Sequence, residues 1–163
     1  MLKENFKKIL LYTIIILVIF FVDRISKLYV IGLAEIENTV DVYLNPYLNI
    51  YLIWNKGIAF GLLSFKEDIV YNIITSIIAS ITLIVLVMAV KTKSFKRYAL
   101  LFVFAGSIGN LFDRIYYSAV PDFIDFHIKG FHWFVFNIAD IFITLGIICL
   151  IFDEIFINNK KNV

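Results

Sequence analysis

Four carboxylates gather in one stretch of an otherwise apolar chain: Asp113, Asp122, Asp125 and Asp140, all between Gly106 and Asp140. That stretch reads GSIGNLFDR, then VPDFIDFHI, then FNIAD. A charge at the centre of a membrane helix costs about 3 kcal/mol by insertion scales, so acids kept in such surroundings point to chemistry. Two carboxylates brought together do not easily both ionise; one pKa rises and the pair titrates as a unit. The charged member can then activate water while the neutral member protonates a leaving group, as in aspartic proteases. No serine or cysteine nucleophile with a histidine is evident in these motifs. His127 and His132 are the only histidines, and their spacing on an expected hairpin is no zinc motif. Cys149 is the only cysteine, which leaves no intrachain disulfide and no cysteine metal site. Neither a metal nor a cofactor is expected.

The elements that must position these acids are set by composition. The chain has 163 residues, 61% of them hydrophobic and 17% charged, against roughly 45–50% apolar content in a soluble domain. A single membrane domain over residues 1–163 is expected. The net charge of +2 is small, and the basic residues cluster at particular loops, which argues for topology and against nucleic-acid binding.

Lys3, Lys7 and Lys8 precede an apolar run from Ile9 to Val22. This imitates a secretory signal. However, Asp23-Arg24-Ile25-Ser26-Lys27 offers no small-x-small cleavage site, and apolar character resumes at Leu28. One uncleaved span over about 9–31 is expected, near the ~20 residues a span needs. In the loop over 34–68, Asn45-Pro46 signals a turn and Tyr47–Trp54 reads as a strand. Further spans are expected over about 69–90, 98–115 and 137–157. The loop over 116–136 carries a hairpin in which Phe126-His127-Ile128 and Phe131-His132-Trp133 flank Lys129-Gly130. The fold class is thus an all-α membrane protein of four transmembrane helices with a small β-rich cradle between spans.

The N-terminus, the 91–97 loop and the C-terminus all carry lysine or arginine. The positive-inside rule makes them cytoplasmic and turns the 34–68 and 116–136 loops outward. Asp23, Asp122 and Asp140 then converge at the outer membrane surface. Gly106, Gly109, Asn110 and Asp113 form one small and polar stripe on span three, and Asn137, Asp140 and Thr144 form another on span four. Such stripes face a bundle interior, because lipid offers polar groups no partner. Helix–helix glue explains the glycines but not the carboxylates.

The chain resembles the lipoprotein signal peptidases (signal peptidase II), bacterial membrane aspartic proteases. The resemblance rests on Asp23-x-x-x-Lys27, Asn55-x-Gly57-x-Ala59-Phe60-Gly61, Gly106-x-x-Gly109-Asn110-x-x-Asp113-Arg114, Val120-x-Asp122-Phe123 and Phe136-Asn137-x-Ala139-Asp140, in that order over nearly the whole chain. It implies cleavage of diacylglyceryl-modified prolipoproteins just before the lipidated lipobox cysteine, in the bacterial cytoplasmic membrane and at its extracytoplasmic face. It also implies Asp122 and Asp140 as the catalytic pair, with Asp23, Lys27, Asn55, Gly57, Gly109, Asn110, Arg114, Asn137 and Ala139 as support or substrate contacts. Inhibition by globomycin, contact with membrane lipid and a monomeric state are further expectations.

Asp23 and Lys27 lie four apart on one helix face and can pair with each other. Alternatively, Asp23 meets Arg114 across the bundle while Lys27 snorkels outward. Asn55, Asn110 and Asn137 are expected to bond substrate backbone or to hold the acids. Asp113 and Arg114 read as structural, and Asp125 as an ordinary surface acid in a solvated loop, off the site by hairpin phase. Trp54 and Trp133 fit an interfacial belt. A departure from the family pattern is Ile141-Phe142 after Asp140, where small residues are usual. A transporter subunit is the main competing class, since intramembrane acids also mark ion paths. Against it, the charges gather at one depth and no inverted repeat is visible.

Overall fold

The computed structural model describes residues 2–37, 39–57, 68–129 and 131–158. Ala59, Phe60 and Gly61 of the second motif, Gly130 of the hairpin, and the terminal Lys160 and Lys161 lie outside the described residues. The elements in order are α1 (Leu2–Glu37), β1 (Asp41–Asn45), β2 (Leu48–Asn55), α2 (Asp68–Lys91), α3 (Phe95–Tyr117), β3 (Val120–Ile128), β4 (Phe131–Phe136) and α4 (Ile138–Phe152). A six-residue π-helical turn, Asp153–Asn158, continues α4.

α1, α2 and α3 are long and apolar enough to cross a membrane. With 36 residues, α1 reaches roughly 54 Å at 1.5 Å per residue and overruns a hydrocarbon core of about 30 Å. It therefore extends beyond both ends of the expected 9–31 span. The flanking lysines and glutamates are good helix formers and let the helix propagate. α4 has 15 α-helical residues, fewer than the ~20 of a full span.

Burial is inverted relative to a soluble protein. Ile14, Val18, Phe21 and Ile25 on α1, and Ile73, Ile77, Ile81 and Ile84 on α2, are exposed. Asp23, Lys27, Asp113 and Asn137 are among the largest fully buried side chains. This is the pattern of helices whose outer faces meet lipid and whose polar groups are satisfied by one another.

The four strands form one antiparallel sheet in the order β1-β2-β3-β4. The expected Asn45-Pro46 turn closes the first hairpin, with the Asn45 Oδ1 accepting from the Tyr47 N–H at 2.9 Å. β3 is longer than the hairpin periodicity indicates: it begins at Val120, directly after α3. Ser118 caps α3 in the left-handed conformation (φ 55°) and turns the chain into the sheet. Asp122 and Asp125 are therefore strand residues, not loop residues. Val30 of α1, Val40 and Phe123 of β3 form a buried cluster that fastens the sheet onto α1.

α3 and α4 pack closely through small residues. A Cβ on Gly106 would stand 2.5 Å from the Ala139 carbonyl oxygen, and one on Gly109 would stand 2.8 Å from the Asp23 Oδ2. Ala105 and Ala139 are fully buried. The expected glycine stripe thus does face the bundle interior.

Candidate active site

Asp122 comes from β3 and Asp140 from the first turn of α4. Both line one cavity of about 250 Å³, together with Asn55, Asn110, Arg114, Ile78 and Ile143. Asn137 joins them. Its side-chain amide donates to Asp122 Oδ1 at 2.6 Å, and its backbone N–H donates to Asp140 Oδ2 at 3.1 Å. The second bond is half of a capping box, completed by Asp140 N–H donating to Asn137 Oδ1 at 3.1 Å. The FNIAD segment is thus a helix N-terminus, and the cap holds both acids at once.

Three asparagines are oriented by one logic: a donor fixes each amide oxygen, so each NH₂ is aimed at a carboxylate. The Gly57 N–H donates to Asn55 Oδ1 at 2.8 Å, and Asn55 Nδ2 donates to Asp122 Oδ2 at 2.8 Å. Lys27 Nζ donates to Asn110 Oδ1 at 2.8 Å, and Asn110 Nδ2 donates to Asp140 Oδ1 at 2.9 Å. Asn137 follows the same pattern through its cap. All three asparagines hold the acids.

Below this layer sits a buried ionic cluster. Lys27 Nζ donates to Asp23 Oδ2 at 2.9 Å, to Asp113 Oδ2 at 2.7 Å and to Asn110, so its three protons are all placed. Asp23 also accepts from the Ala139 N–H at 2.9 Å, which ties α1 to α4. Arg24 pairs with Asp113 Oδ1 and lies 5.2 Å from the Phe112 ring centroid. Two cations face two carboxylates, the balance that makes buried charge tolerable.

The structure brings every expected site residue into this assembly, but it corrects three expectations. Lys27 does not snorkel; it is fully buried, because three acceptors around it replace water. Asp23 does not meet Arg114. The Arg114 guanidinium donates to the Gly57 carbonyl oxygen instead, bracing the turn that orients Asn55, and lies 5.7 Å from the Tyr71 ring centroid. Asp125 is no solvated acid; it is 2% exposed and bonds His132 Nδ1 at 2.8 Å. Arg24 was legible only as part of a charged run. Its signal is its position three residues before Lys27 on α1, which puts both on one helix face.

Burial pushes the Asp122 carboxyl up from 3.8 to about 7, and the charge of Asp140 adds to the rise. The amides of Asn55 and Asn137 oppose it. A buried carboxyl that titrates near neutrality beside a second carboxyl, in an open cavity, is suited to acid–base exchange with water. Of the two large residues after Asp140, Phe142 packs edge-on against Phe102 at 5.8 Å.

Residues 15–156 match the family model described as signal peptidase (SPase) II. The lipoprotein signal peptidase of Pelagibacter ubique is 54% identical over 98% of this chain and 96% of its own length. That of Aquifex aeolicus is 38% identical over 94% and 92%. A bacterial membrane enzyme solved at 2.3 Å by the in meso method superposes with a TM-score of 0.69 at 30% identity, over 88% of this chain and 86% of its own. A second, solved at 1.9 Å, gives 0.67 at 29% identity. With its buried carboxylates on one cavity and this similarity over nearly its full length, the chain belongs to the signal peptidase II family of aspartic endopeptidases.

Proposed function

We propose that Asp122 and Asp140 are the catalytic pair of a peptidase that removes signal peptides from diacylglyceryl-modified prolipoproteins, cutting just before the lipidated cysteine. The observation that carries this reading is the double contact of Asn137, which holds one oxygen of each acid beside a shared cavity. In this reading Asp122, whose carboxyl burial pushes up to about 7, is the proton donor, and Asp140 takes a proton from the attacking water. Water adds to the scissile carbonyl carbon, and Asp122 donates its proton to the departing amine. Asn55, Asn110 and Asn137 position the carboxyl groups, and the Asp23–Lys27–Asp113 cluster positions Asn110 and Ala139.

The membrane setting follows from the same reading. α4 with its π-helical continuation is the fourth span, both termini lie in the cytoplasm, and the chain is one domain acting as a monomer. The sheet then lies on the extracytoplasmic side of the bacterial cytoplasmic membrane, where exposed Trp54 and Trp133 suit a lipid interface. Apolar Ile78, Val120 and Ile143 on the cavity wall suit an apolar signal peptide arriving from the bilayer. Globomycin is expected to inhibit.

The test uses detergent-purified protein and a lipobox peptide with or without diacylglycerol on its cysteine. Cleavage of the lipidated peptide is expected, with a loss of at least about 10²-fold in kcat for Asp122→Asn and for Asp140→Asn. Full activity in either variant, or no cleavage by the unaltered protein, refutes the assignment.

A further inference from the structure

On the opposite side of β3 from Asp122 lies a second cluster, made of Asp125, His127 and His132. Asp125 and His127 are two apart on one strand and so share a face, while Phe126 and Ile128 between and beyond them are exposed. His132 is brought to that face by a bulge. Phe126 pairs with Phe134, but the next residue, His127, pairs with His132, so β4 carries one extra residue, Trp133, against β3. Without it, His132 would fall on the other face; an inserted residue re-aims every side chain beyond it. The two imidazoles consequently lie with ring centroids 5.1 Å apart.

The three side chains each offer a ligand atom, and these atoms lie within 4.8 Å of one another. Asp125 Oδ2 is 2.8 Å from His132 Nδ1 and 3.5 Å from His127 Nδ1. Ligand atoms on a tetrahedral zinc with bonds of about 2.0–2.1 Å stand roughly 3.4 Å apart, so these separations bracket the required one. Two polar atoms in the cluster are buried without a hydrogen-bond partner: Asp125 Oδ1 and His127 Nδ1. Asp125 is 2% exposed and His127 9% exposed, and unpartnered polar atoms at such depth are rare. The His132 side chain is 57% exposed, which leaves an entry path and an open coordination position.

We propose that Asp125, His127 and His132 form a binding site for a first-row divalent cation, with Zn²⁺ the best match to one carboxylate and two imidazoles. The ion joins β3 to β4. It braces the hairpin whose first strand carries Asp122 and whose second leads into Asn137, and it takes no part in peptide hydrolysis. The inference stands apart from the catalytic assignment, since none of its ligands lines the cavity of Asp122 and Asp140.

The experiment uses full-length protein without a polyhistidine tag, in detergent and stripped with EDTA, then titrated with Zn²⁺ alone by calorimetry. The expected result is saturable binding of one ion per chain, weakened at least about tenfold by His127→Ala and by His132→Ala. The midpoint of thermal unfolding should rise with Zn²⁺ in the unaltered protein and not in His132→Ala, whose exposed side chain is removable without disturbing the core. Absence of saturable binding overturns the proposal. So does binding that survives both histidine substitutions, or binding abolished by Asp122→Asn while His127→Ala retains it, which would put the ion on the catalytic carboxylates.

Discussion

Asn137 donates to both acids, Asn55 donates to Asp122 and Asn110 donates to Asp140. Asn137→Ala is therefore expected to lower kcat more than Asn55→Ala or Asn110→Ala, by about 10²-fold; steady-state rates on the lipidated peptide check the ranking. The raised pKa of Asp122 has two consequences. If it is the proton donor, kcat/KM falls as pH rises past about 7, with an apparent pKa that belongs to the pair. Stability moves the same way. Between 3.8 and about 7 the folded protein keeps a proton on Asp122 that the unfolded chain releases. Stability therefore declines as pH rises through that window and levels off above it. Asp122→Asn abolishes this contribution, so its unfolding midpoint should vary less over the same range than that of the unaltered protein.

Lys27 and closely packed glycines help to join the helices. Lys27 links α1 to α3 through Asp113 and Asn110, and α1 reaches α4 through Asp23 and the Ala139 N–H. Lys27→Met leaves two buried carboxylates facing each other with one cation fewer. The expected loss is about 3–5 kcal/mol of stability, the range for breaking a buried pair from one side. Lys27→Arg is not expected to rescue it, since a planar fork does not reproduce three converging bonds from one nitrogen. Thermal unfolding in detergent measures both. Gly106→Ala sets a methyl against the Ala139 carbonyl, a backbone atom that cannot swing aside, and is expected to cost about 1–3 kcal/mol. Gly109→Ala meets the end of the Asp23 side chain, but that carboxylate is held by Lys27 and Ala139. It should impair activity as well as stability, because the displaced acid sits directly under the layer proposed to be catalytic.

At the scale of the molecule, the proposed orientation can be read by labelling. With Cys149 replaced by serine, single cysteines at Lys129 in the hairpin and at Lys93 in the basic loop would, in the proposed orientation, face opposite sides of the membrane. In intact cells a membrane-impermeant maleimide should label the Lys129→Cys protein and leave Lys93→Cys unlabelled until the membrane is broken; the reverse pattern refutes the topology. The basic loop is itself anchored by structure. Arg97 donates to the Thr92 carbonyl at 2.7 Å and to the Tyr12 hydroxyl at 3.0 Å, and Lys96 pairs with Glu154 at 2.6 Å. The charges on which the proposed orientation rests are here also tied to helix ends.

The membrane class, the three long helices, the second strand and the motif residues were all legible in the chain, because hydropathy and period are local properties. Asp113, Asp122, Asp125 and Asp140 stood out for the same reason, since an acid in an apolar run is conspicuous without knowing its neighbours; the choice of Asp122 and Asp140 among them rests on the family resemblance. What meets what is not local. Lys27 reads equally well as a snorkelling cation until α3 supplies Asp113 and Asn110 around it. Asp125 reads as a surface acid until β3 proves to start at Val120 and a one-residue bulge in β4 turns His132 toward it. Periodicity assigns a residue to a face of its own element, but the partner on the next element is chosen by packing and register, and those exist only in the folded chain.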